Sequence, residues 1–107
     1  MTDNIRRMYR LAGTKEIRYD QVVEGHRVKY SAFPPFTAEK QLELIKWLAS
    51  EHNDIEISWY SDIGFRVNNF LGSCEHADLP QALAGLVCEL WEDLTDSQRE
   101  EIKRILQ

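Results

Sequence analysis

Residues 79–94 read Leu79-Pro80-Gln81-Ala82-Leu83-Ala84-Gly85-Leu86-Val87-Cys88-Glu89-Leu90-Trp91-Glu92-Asp93-Leu94. Leu79, Leu83, Leu86, Val87, Leu90 and Leu94 recur at helical spacing and form one apolar stripe. A stripe of this kind has to be buried against another element. Asp78 can cap such a helix, with Pro80 in its first turn and Gln81 three residues on. The spacing predicts a helix running to about Asp93. Thr95-Asp96-Ser97-Gln98 carries a second capping-box signature, and Ile102, Ile105 and Leu106 give a last helix its apolar edge. Gly85 inside the first of these helices costs about 1 kcal/mol relative to alanine. Its presence predicts close approach by a neighbour, either the sheet or another subunit.

Upstream lies a surface for the stripe to cover. Ile55-Glu56-Ile57-Ser58-Trp59-Tyr60, the turn residues Ser61-Asp62-Ile63-Gly64, and Phe65-Arg66-Val67-Asn68-Asn69-Phe70 read as a β-hairpin. Ile55, Ile57 and Trp59 are expected to point the same way as Phe65 and Val67, with Trp59 in the core. Glu56, Ser58, Tyr60, Arg66 and Asn68 take the other face. Gly72 to His76 reads as a loop or a fraying strand end. A helix is predicted over about Ala38 to Ser50, capped by Thr37 and stopped by Asn53-Asp54, with Leu42, Leu44, Ile45, Trp47, Leu48 and Ala49 apolar. An earlier hairpin joins Glu16–Val23 to Arg27–Phe33 through Glu24-Gly25 and ends at Pro34-Pro35. Ile17, Tyr19, Val28, Tyr30 and Ala32 would share its inner face. Residues 1–15 form a basic arm or a short helix with an apolar edge of Ile5, Met8, Tyr9 and Leu11. The expected architecture is α+β: a small antiparallel sheet built from two hairpins with helices packed on it, in the order ββαββαα.

The 107 residues are those of one domain, residues 1–107, large enough for a modest core. Hydrophobic content of 43% and charged content of 29% are ordinary for a globular domain. No run approaches the length of a membrane span, and no long apolar run follows the N-terminus as a secretory leader would require. Two cysteines beside a viable core predict a reducing, cytoplasmic setting. The net charge of −5 is uneven: residues 1–30 carry seven basic and four acidic side chains, a balance of +3 that leaves −8 for the remainder. The acidic part repels phosphate backbones, so only the N-terminal third could attract one.

Few residues invite chemistry. Cys74 and His76 are two apart and would share a face of an extended strand, and Cys88 lies one helix later. With His26 and His52 they match no standard zinc spacing. No nucleophile elbow accompanies them, and Gly13, Gly25, Gly64, Gly72 and Gly85 are too scattered to cradle phosphate. Glu92-Asp93 and Glu100-Glu101 fall on solvated helix faces. No metal, cofactor, small-molecule substrate or enzymatic activity is expected. The aromatics are more informative: Trp47, Trp59, Tyr60, Phe70 and Trp91 are many for so small a core. Where the hairpin's second face is open, Tyr60, Arg66, Asn68 and Phe70 would form a binding patch, since Tyr and Arg are typical anchors. Unpaired sheet edges add a place for a second subunit. The alternative is a nucleic-acid contact through Arg6, Arg7, Arg10 and Lys15.

The block from Thr37 to Gln107 resembles small proteins encoded by bacteriophages and prophages. The residues that carry the likeness are Leu44-Ile45-Lys46-Trp47-Leu48 at a helix end, the hairpin, then Leu79-Pro80-Gln81-Ala82-Leu83-Ala84-Gly85-Leu86-Val87 and Leu90-Trp91. In layout it is similar to the phage ABA-sandwich domain, in which helices flank a small sheet. The glycine and Leu-Pro-x-Ala-Leu helix also resemble the HicB-type antitoxin component, without that family's upstream strand motifs. The resemblance implies an accessory protein of phage type, and no site residue comes with it. Together with the aromatic surplus it gives the functional expectation: a non-enzymatic protein that binds a host protein or pairs with itself.

Overall fold

The structure is a computed structural model that describes residues 3–52 and 54–107. Met1-Thr2, the stop signal at Asn53 and the His52 side chain lie outside the described residues. The elements run α1 (Asn4–Leu11), β1 (Ile17–Val23), β2 (His26–Ala32), α2 (Ala38–His52), β3 (Glu56–Tyr60), β4 (Gly64–Asn68), β5 (Ser73–His76), α3 (Leu79–Leu90), a 3-10 turn (Trp91–Asp93) and α4 (Asp96–Leu106). The fold is α+β with antiparallel sheets and helices packed alongside.

The two hairpins do not merge into one sheet. β1 and β2 form a sheet of their own, and β3-β4-β5 form a second. The segment Gly72–His76 supplies that third strand: Cys74 stands opposite Val67 and His76 opposite Phe65. Its pairing with β4 was hidden in the sequence because four residues are too few to show a period.

Helix α3 lies across β4 and β5, with α1 and α2 packed on it and α2 against α4. It is therefore buried nearly all round: every residue from Ala82 to Cys88 is buried, as is Leu90, while Glu89 is exposed. A helix apolar on one stripe would need one neighbour, and this one has three. Gly85 sits at the closest approach. A Cβ there would overlap the Cys74 Sγ of β5 and lie 2.7 Å from Asn4 Nδ2 of α1. Of the two neighbours expected for it, the sheet is the one found, joined by α1.

The cap signals read from the sequence form as expected. Asp78 accepts from Gln81 N, and Thr95 and Gln98 make a reciprocal capping box. The helix after Asp78 stops at Leu90 and tightens into the 3-10 turn, where Arg99 donates to Trp91 O and lies over its ring at 5.5 Å. The N-terminal segment is a docked helix, not a free arm: Met8 and Tyr9 are fully buried. Gln81 ties the end of α1 down, accepting from Ile5 N at 3.0 Å and donating to Asp3 Oδ1 at 3.2 Å.

Trp59 is not in the core. It shares its face with Phe65, as alternation requires, yet it is 64% exposed and Ile57 is exposed beside it. Helix α3 covers β4 and β5 and stops short of the edge strand β3.

Candidate interaction surface

The first hairpin projects from the body as an arm. Glu24 and Gly25 turn it with positive φ at both positions, +50° and +81°, the geometry of a type I′ turn that matches strand twist. Seven residues of each strand pair in register, from Ile17 opposite Ala32 to Val23 opposite His26. At its base the arm is anchored by aromatic packing. The Tyr9 ring stacks on Phe33 at 5.3 Å and meets Phe36 edge-on at 6.4 Å.

Beyond that base, among the described residues, no other helix or strand packs broadly on β1 or β2. Tyr19 and Ala32 are half-buried, and every other residue of the two strands is exposed. The register places Ile17, Tyr19, Gln21 and Val23 on one face with Ala32, Tyr30, Val28 and His26. Tyr19 and Tyr30 stack there at 5.1 Å. The opposite face holds Arg18, Asp20, Val22, Arg27, Lys29 and Ser31, with Asp20 and Arg27 3.6 Å apart. The residues expected on an inner face thus do share a face, but among the described residues no helix or strand is laid over it. Gln21 and His26, set among the apolar positions, are the sequence signal that this face is not core.

The patch expected on the other side of the second hairpin is brought together in part. Arg66 lies 5.2 Å from the centre of the Tyr60 ring, and its Nε donates to Glu75 Oε1 at 2.8 Å. Asn68 stands opposite Glu56 on that same face and is half-buried. Phe70 lies apart. β4 ends at Asn68, and Asn69 Oδ1 accepts from Leu71 N and Gly72 N to form a tight turn. Phe70 is 89% exposed at that turn, at the far end of β4 from Tyr60. Five strand residues separate the two ends by roughly 17 Å.

The chemistry-bearing residues make local contacts within the fold. Cys74 packs beneath Gly85 and receives Asn4 Nδ2 at 3.7 Å. Burial pushes its thiol up, with Glu89 and Glu75 adding to the effect. Burial pushes the Cys88 thiol up to about 11. Both thiols are therefore protonated near neutrality, the unreactive form. His76 Nδ1 accepts from Asp78 N at 3.0 Å, which shapes the entry to α3. Among the described residues, no three His, Cys, Asp or Glu gather in a way that could hold a metal ion. Arg6, Arg7 and Arg10 are exposed on α1, and Lys15 is exposed in the link to β1. Among the described residues no helix is long and apolar enough to cross a membrane.

Comparison with family models, with curated proteins and with solved structures found no match for this chain.

Proposed function

We propose that this chain is a non-enzymatic accessory protein that acts by binding protein, and that the β1–β2 arm makes the contact. One observation carries the reading: an amphipathic hairpin extends an apolar face that its own body does not cover. A lone two-stranded hairpin is marginal in water, so a partner that covers this face would stabilise it. Large exposed apolar patches rimmed by polar groups mark binding surfaces. Here Tyr19, Val28 and Tyr30 form the centre, and the tyrosines are the residue type expected at an anchor. The phage-type character implied by the layout of residues 37–107 belongs to the same proposal and is supported by that resemblance.

The test is capture from an extract of the native source, with the wild-type chain and a Tyr19→Ser, Val28→Ser, Tyr30→Ser variant. The expected result is a protein retained by the wild type and lost with the variant, this chain itself counting as such a protein. Equal retention by both, or none by either, would sink the proposal.

A further inference from the structure

We infer that the arm's partner is a second copy of this chain, with the β2 edge of one arm adding to the open β3 edge of the other protomer. This rests on the binding reading above and names the occupant.

Three observations converge. First, among the edge strands of the two sheets, β2 and β3 each present an uncovered apolar strip. β3 is the outer strand of its sheet and presents Ile57 and Trp59. β2 has only β1 beside it and presents Val28 and Tyr30. Strand addition supplies main-chain hydrogen bonds to both edges, and alternate side chains set the register. A register that aligns the apolar faces puts Val28 and Tyr30 in line with Ile57 and Trp59.

Second, the charges are opposite. β2 carries Arg27 and Lys29 and no acid, while β3 carries Glu56 and no base and is bracketed by Asp54 and Asp62. Lys29, Asp54, Glu56 and Asp62 have no ion-pair partner among the described residues. In the aligned register Lys29 falls on the same side of the joined sheet as Glu56. The imbalance of +3 against −8 between the N-terminal third and the remainder then acts between copies.

Third, the exchange is reciprocal. It engages the seven residues of β2 and the five of β3 in each chain, an extent that belongs with the small, reversible interfaces. Two-fold exchange closes on itself, so no open filament results.

Sedimentation velocity on the full chain over about 1–100 µM is the primary measurement. It should show a monomer–dimer equilibrium. Lys29→Glu and Glu56→Lys should each weaken the dimer about tenfold, and the chain carrying both should recover to within about threefold. Both positions are exposed, so neither change threatens folding. A chain that stays monomeric at the top of that range overturns the inference, as does a dimer indifferent to both substitutions. A monomer that still captures a different protein through its arm leaves the wider binding reading standing. A monomer with no arm-dependent capture ends both.

Discussion

Gly85 shows how one residue holds three elements together. Alanine at that position gains about 1 kcal/mol of helix propensity. It also drives a methyl into Cys74 Sγ and against Asn4 Nδ2, and overpacking of this kind costs about 1–3 kcal/mol. Gly85→Ala should therefore lower the urea midpoint, and adding Cys74→Ala should recover much of the loss because it vacates the space. Independent, additive effects would contradict the contact. Cys88 gives a pH-dependent counterpart. Its thiol ionises at about 11 in the fold against an ordinary 9.0. A raised acid pKa means the unfolded chain loses its proton first. The contribution is thus complete below about pH 9 and disappears as pH climbs through 11, a loss of about 2–3 kcal/mol. Denaturation followed from pH 8 to 11 should show that alkaline limb, and Cys88→Ala should make it shallower, leaving the part that Cys74 contributes.

At the scale of elements, caps and periods were legible and coverage was not. The Thr95–Gln98 capping box, the Asp78 cap and the alternation of both hairpins could be read from local chemistry, since each depends on residues within one turn or one strand pair. Thr95→Ala should cost about 1 kcal/mol, seen as a shift in the denaturation midpoint of the whole domain. Alternation also gave the correct side for Trp59 and Val28. It could not give burial, because which strand a helix reaches depends on contacts far apart in sequence. The same limit applies to the candidate surface. Tyr60 and Arg66 were found because they sit on adjacent strands of one hairpin, and Phe70 separated because β4 ends at Asn68 and Phe70 lies in the turn that follows. The arm's turn offers a further check. Glu24 occupies a positive-φ position that asparagine adopts at lower cost. Glu24→Asn should slow amide exchange across β1 and β2 and leave α3 unchanged.

The whole molecule divides into a helix-centred body and an arm joined to it by Tyr9, Phe33 and Phe36. That division separates folding from association, since the distal arm shares little with the core. Deleting residues 20–29 and linking the opposed pair Tyr19 and Tyr30 through Asn-Gly keeps a hairpin-compatible turn and the aromatic base. In dilute solution the shortened chain should unfold within about 0.5 kcal/mol of the wild type, the range for changes away from packed sites. The two should part company as concentration rises. Binding to the native state alone raises the melting temperature with concentration. The wild type should therefore melt later at about 100 µM than at 1 µM, while the shortened chain should melt at one temperature throughout. A body that unfolds without the distal arm would mean that β1 and β2 belong to the core after all.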